Sequence, residues 1–140
     1  MRILNNVPVL QLGKAIQVND AIFPPKIVQQ AIMELYDDIG TMNCLVGIFP
    51  DKLHPVVETT VPVQHISHII TALYIVDDIV CADMVLLDTP AGKQLQKLYN
   101  KKQIQFALSG TGAVSRNGTP QLYVNKYQIS TVIAYNTNKD

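Results

Sequence analysis

Charged residues are scarce in this sequence, and their scarcity excludes several classes of protein. Asp, Glu, Lys and Arg make up 16% of the 140 residues, and the formal net charge is +0, whereas soluble domains have roughly 25% charged residues. There is no basic stripe, so a nucleic-acid partner would find no electrostatic footprint. A surface this neutral favours a chain that packs against protein partners, in a larger assembly or a homo-oligomer.

Cysteine is also rare, with Cys44 and Cys81 as the only two. Two cysteines do not make a disulfide framework, and no Cys/His cluster has the spacing of zinc ligands. We therefore expect no metal and a reducing cytoplasm, with both thiols as small buried hydrophobes. A long uncharged stretch, Val61 to Val76, is interrupted by polar residues and is short for a membrane span. The sequence predicts a soluble protein with no membrane partner.

Two segments have helical periodicity. The first opens at Pro24 and Pro25, continues with apolar residues at helical spacing and stops at Gly40. The second opens at Pro90, and Thr89 before it is a plausible N-cap.

The remaining segments are rich in β-branched residues and predict strands. They are Arg2–Leu12, Asn43–Ile48, Val56–Val63, Ser67–Val76, Ile79–Leu87, Gln103–Ser109, Gln121–Val124 and Gln128–Tyr135. Asp77-Asp78 predicts a short turn, and Arg116-Asn117-Gly118 predicts a hairpin. This order predicts an α+β fold in one domain over residues 1–140, a mainly antiparallel sheet or barrel with two helices.

Ser109 is the candidate nucleophile. In the predicted strand Gln103–Ser109 it ends the strand on the more polar face. Gly110 and Gly112 follow, and glycines in a turn there would let backbone N–H groups approach a ligand, as an oxyanion hole requires. The alternative is a strand-end serine that only starts a turn.

A nucleophilic serine needs a base, and the chain has three histidines. His54 precedes a proline, which biases it to an extended conformation. His65 and His68 are three residues apart, so in a strand they face opposite sides. Only one of these two can share a groove with Ser109, and spacing alone does not select it.

Asp83 is a candidate acid that would orient the base. It lies inside the predicted strand Ile79–Leu87, on the same face as apolar residues, where an unpaired carboxylate is costly. The alternative is a charge that protects an edge strand from aggregation.

Several short motifs occur in an order that resembles the prohead maturation proteases of tailed bacteriophages, a family that resembles herpesvirus assemblin in fold. They are Gly47-Ile48-Phe49, Leu53-His54-Pro55, Ile66-Ser67-His68-Ile69-Ile70, Leu87-Asp88-Thr89-Pro90-Ala91-Gly92-Lys93 and Phe106-Ala107-Leu108-Ser109-Gly110-Thr111-Gly112. The likeness covers residues 21–135, and the Leu87–Lys93 stretch together with the order of the other motifs carries most of it.

The resemblance implies a site and an activity. Ser109 would be the nucleophile, His54 its general base and His68 a supporting or alternative base, with N–H groups near Gly110 holding the oxyanion. The implied activity is endoproteolysis of scaffold and capsid precursors inside the prohead, in the host cytoplasm, with no metal or cofactor. The implied partners are phage capsid or scaffold proteins.

Two departures keep a non-catalytic function open. The family usually has Ser-Ser-Arg-Gly or similar around the nucleophile, whereas Leu108-Ser109-Gly110 lacks the arginine. The final strand usually carries an Asp, whereas Ser130–Thr137 has no acid. The alternatives are a virion structural protein that decorates or cements the capsid, and a small α+β binding module for a ligand that the sequence does not identify.

Overall fold

The computed structural model describes residues 1–14, 21–39, 45–48, 65–116 and 118–137. Two helices and six strands lie in these ranges. They are β1 (Arg2–Gln11), α1 (Pro25–Ile39), β2 (Leu45–Ile48), β3 (Ile66–Val76), β4 (Ile79–Leu86), α2 (Pro90–Asn100), β5 (Ile104–Ser115) and β6 (Tyr123–Asn136). The α+β class and both predicted helices are confirmed. The predicted strand Val56–Val63, the helix stop at Gly40, and Cys44 and His54 lie outside the described residues.

The strands form two open antiparallel sheets. The first has the order β1-β4-β3-β2, and the second consists of β5 and β6. Strand β2 lies beside β6 and β1 lies beside β5, so the two sheets meet at both margins. Helix α1 packs on β6, and α2 packs on β3.

The core lies between the two sheets and the helices, and strand alternation selects its members. Leu4, Ile70 and Met84 stand in register across β1, β3 and β4 and are at most 6% exposed. From α1, Val28, Ala31, Ile32 and Leu35 recur at helical spacing and join the same cluster. Each of the Val, Leu, Ile and Met side chains contributes about 1.5–3 kcal/mol on burial.

The predicted turn at Asp77-Asp78 is confirmed. Asp77 has φ 50° and Asp78 has φ 63°, both in the left-handed region that a two-residue hairpin turn of type I′ needs. Aspartate tolerates this region better than most residues because its side chain can hydrogen-bond to the local backbone.

The predicted end of β5 at Ser109 is wrong. Strand β5 continues to Ser115, and its partner β6 is one strand where the sequence predicted two. Gly110 and Gly112 belong to the ladder: a Cβ at Gly110 would overlap the Gln128 carbonyl oxygen, and one at Gly112 would overlap that of Lys126. These glycines therefore allow the two strands to approach closely, which a sequence pattern cannot distinguish from a turn.

The Leu87–Lys93 motif docks α2 on the sheet. Thr89 is the N-cap, as predicted: its Oγ1 accepts a hydrogen bond from the Gly92 N–H at 3.0 Å and donates one to the Ile66 carbonyl oxygen of β3. A Cβ at Gly92 would overlap the Leu87 carbonyl oxygen. The motif thus fixes the first turn of α2 against β3 and the end of β4.

Thr89→Ala should lower the free energy of unfolding by about 1–2 kcal/mol, the usual cost of losing an N-cap hydroxyl. Urea denaturation of the two proteins measures this difference. Thr89→Ser keeps the hydroxyl and is the matched control, expected to retain most of the stability. Equal stability of Thr89→Ala and wild type would contradict the capping role.

Candidate functional site

Ser109 lies in the middle of β5, opposite Thr131 of β6. It is partly exposed, and the register shifts between Ser109 and Gly110, as at a β-bulge. Among the described residues no group hydrogen-bonds its hydroxyl. The extra residue at this irregularity is Ser130 of β6, and bulges are frequent beside active sites.

His68 is fully buried and has partners for both ring nitrogens. Its Nδ1 lies 2.7 Å from Ser67 Oγ, and its Nε2 lies 2.7 Å from the Val132 carbonyl oxygen of β6. A carbonyl oxygen can only accept a hydrogen bond, so Nε2 carries the ring proton and donates a hydrogen bond to the Val132 carbonyl oxygen. Nδ1 therefore accepts the proton of the Ser67 hydroxyl, which is itself fully buried.

The His68 ring joins four strands. It lies directly on Gly47 of β2, because a Cβ there would overlap the ring at Nε2. It also meets the Phe106 ring of β5 edge-on, with centroids 5.7 Å apart. Together with the bond to Val132, these contacts make His68 a link between the two sheets.

Burial keeps His68 neutral. Desolvation lowers its pKa from 6.5 to about 4, and the hydrogen bond to the Val132 carbonyl opposes this only in part. A neutral imidazole with both nitrogens engaged has no free lone pair for a substrate proton. The structure does not bring His68 into hydrogen-bond contact with Ser109. A role as base would also require the Nδ1 lone pair to leave the Ser67 hydroxyl.

Asp83 stabilises a different region. Its Oδ1 accepts hydrogen bonds from the Asn6 N–H at 2.9 Å and the Tyr74 hydroxyl at 2.7 Å. Asn6 has φ 58° at an irregularity of β1, so the carboxylate holds that irregularity in place. Burial, and next the bond to Asp83, raise the pKa of Tyr74 to about 12.

Asp83 and His68 are not brought together. Leu86 and Met84 of β4 point into the core, as does His68, and Asp83 alternates with them on the opposite face of the sheet. The edge-strand interpretation of Asp83 is wrong, because β4 lies between β1 and β3.

The remaining candidates are placed as follows. His54 lies outside the described residues, and His65 is exposed just before β3. The Gly110 and Gly112 backbones are packed against β6 as part of the ladder, not in a turn.

Sequence reasoning missed two sets of polar contacts. One is the Ser67–His68 pair of β3 together with the bond from His68 to Val132 of β6, although the adjacent Ser-His letters were visible in the motif. The other joins β6 to β2, where the Thr131 hydroxyl donates to the Val46 carbonyl oxygen at 2.8 Å. Both lie at the junction of the two sheets, where β2 meets β6.

Within the described ranges, no group of three or more His, Cys, Asp and Glu side chains could hold a metal ion. No helix in the part of the chain that the structure describes is long and apolar enough to cross a bilayer. Cys81 is buried and carries a free thiol.

The two-sheet α+β fold is similar to that of a phage prohead protease. One solved structure of this fold is the capsid assembly protease gp21 of bacteriophage T4, to which this chain is similar with a TM-score of 0.69. The match covers 96% of this chain and 91% of that one, at 14% sequence identity. No protein-family model and no curated protein matches the sequence.

Proposed function

We propose that this chain is a bacteriophage head-morphogenesis protein that acts in the prohead on scaffold and capsid proteins. The observation that carries the proposal is the fold shared with a capsid assembly protease over 96% of the chain. The low charge of the sequence agrees with a protein that works among packed protein surfaces.

We further propose serine endopeptidase chemistry with Ser109 as nucleophile and His54 as base. Ser109 Oγ attacks the scissile carbonyl carbon while its proton passes to His54. The C–N bond then breaks, the amine takes that proton, and water hydrolyses the acyl-enzyme. Two observations support Ser109: it is partly exposed beside a bulge, and no described group holds its hydroxyl. His54 is preferred to His68 because both nitrogens of His68 are engaged.

A fluorophosphonate probe tests this chemistry, since it bonds to an activated serine Oγ with loss of fluoride. Wild type should be labelled. The labelling rate of Ser109→Ala should be at least about 100-fold lower than that of wild type, the scale expected for loss of an essential catalytic group. His54→Ala should lose a similar amount. Ser130→Ala, which removes an exposed serine of the paired strand β6, is the matched control and should label as wild type does.

A second candidate function is a non-catalytic head protein that decorates or cements the capsid. The specific observation in its favour is that His68 and Asp83 bond to structural partners and leave Ser109 without a described base or acid. Folded wild type that resists the probe would favour this function over the enzyme. Equal labelling of wild type and Ser109→Ala would instead contradict Ser109 as the nucleophile.

A further inference from the structure

Helix α2 carries a row of lysines on its exposed side. The sequence alone indicated no basic stripe, but Lys93, Lys97 and Lys101 are all exposed and recur every four residues. They therefore lie on one side of the helix, about 6 Å apart along its axis. Lys102 follows the row, and α2 contains no acidic residue. Within the described ranges the one ion pair joins Asp88 to the amino terminus of the chain, so no lysine of the row is in an ion pair there.

The C-terminal part of helix α1 carries the opposite charge. Glu34, Asp37 and Asp38 are exposed, and Glu34 and Asp38 are four residues apart, as are successive lysines of the row. No basic residue lies in the last turn of α1, and no described cation forms an ion pair with these carboxylates. Carboxylates are unfavourable at a helix C-terminus, where the helix dipole favours cations. Cations supplied by another molecule would relieve this repulsion.

The two charged regions lie at different ends of strand β3. Near the acidic end of α1, the Tyr36 hydroxyl contacts the backbone of Leu73. At the start of α2, Thr89 bonds to Ile66, which lies seven residues before Leu73, or about 23 Å along an extended strand. Arg2 bonds to the last residue of α2 and pairs with the last residue of β4, beside the start of β3. Both ends of α2 are therefore far from the acidic end of α1, and one chain does not pair its own two regions.

We infer that the acidic end of α1 in one copy of this chain docks on the lysine row of α2 in a second copy. The shared four-residue spacing lets Glu34 and Asp38 face two successive lysines, each in a charge-assisted hydrogen bond. Met33, which is 56% exposed beside Glu34, adds apolar area to the contact. The net charge is +0, so whole copies do not repel each other, and the opposite charges at different ends select unlike surfaces. The contact does not depend on whether Ser109 is a nucleophile.

Sedimentation velocity over a concentration series at low ionic strength tests the contact. Wild type should associate with a Kd of about 0.1–1 mM, because exposed ion pairs are individually weak. Raising the salt concentration from about 0.02 M to about 0.3 M should weaken the association at least about fivefold, since salt screens exposed charges. Lys97→Glu and Asp38→Lys should each weaken it at least about fivefold, because like charges then face each other. Lys14→Glu, at an exposed lysine outside both helices, is the control and should associate as wild type does.

An equimolar mixture of Lys97→Glu and Asp38→Lys should associate as wild type does. The altered lysine row of the first variant then meets the altered acidic end of the second, their unchanged surfaces also pair, and a misfolded variant could not restore association. Wild type that stays monomeric to about 1 mM, association that neither substitution weakens, or variants that mixing does not rescue would overturn the inference. A monomeric wild type that binds a single-stranded DNA oligonucleotide through Lys97 would also overturn it, because the row would then serve nucleic acid.

Discussion

Gly92→Ala should lower the free energy of unfolding by about 3 kcal/mol. Alanine normally stabilises a helix relative to glycine by about 1 kcal/mol, so helix propensity alone predicts the opposite sign. The added methyl group, however, would overlap the Leu87 carbonyl oxygen and come within 3.0 Å of the Ser67 carbonyl oxygen. Both are backbone atoms that cannot rotate away, and overpacking of this kind costs about 1–3 kcal/mol or more.

Urea denaturation of Gly92→Ala beside wild type measures the effect. Gln94→Ala, an exposed position of the same helix, is the control and should change stability by less than about 0.5 kcal/mol. A Gly92→Ala protein as stable as wild type, or more so, would show that α2 does not sit closely on the end of β4.

The second large effect is a loss of stability at acidic pH that depends on His68. Its pKa is about 4 in the folded protein and 6.5 for the free side chain. Because the folded pKa is the lower one, the unfolded chain binds the proton more tightly. The stabilisation is therefore complete above pH 6.5 and is lost as the pH falls towards 4, with a total of about 3 kcal/mol.

Carboxylates titrate in the same range, so the informative quantity is the difference between wild type and His68→Gln. Glutamine fills part of the space and does not titrate, so its unfolding free energy should decline less between pH 6.5 and pH 4. His65→Gln removes an exposed histidine and controls for the loss of a histidine as such. Parallel pH curves for wild type and His68→Gln would mean that His68 is not held neutral in the core.

The fold was predictable where local chemistry decides it. Pro24-Pro25 and Pro90 marked the starts of the two helices. Thr89 before Pro90 was predictable as a cap because the bond of its hydroxyl lies within its own helix turn. The Asp77-Asp78 turn was likewise local. The end of β5 was not predictable, because Gly110 and Gly112 satisfy a requirement set by carbonyl oxygens of the next strand, β6, and the residues around the glycines do not reveal that pairing.

The distinction between local contacts and contacts with other parts of the chain also explains which features of the candidate site were predictable. The order of the motifs predicted the fold, which the structure of the bacteriophage T4 capsid assembly protease shares. The partner of His68, Val132, lies 64 residues further along the chain, and only the packing of β6 beside β2 brings them together. Asp83 was correctly identified as a carboxylate that needs partners, but the partners are Tyr74 and Asn6, which stabilise β1.

The central claim, a function in the phage head, is tested most directly by composition analysis of proheads. Proheads assembled in cells that express this chain with the capsid and scaffold proteins of its own phage would be purified by sedimentation and analysed by peptide mass spectrometry. The account predicts peptides of this chain in the purified proheads, at a constant ratio to the capsid protein across the gradient. Proheads that form normally while the chain remains entirely in the unassembled fraction would contradict it.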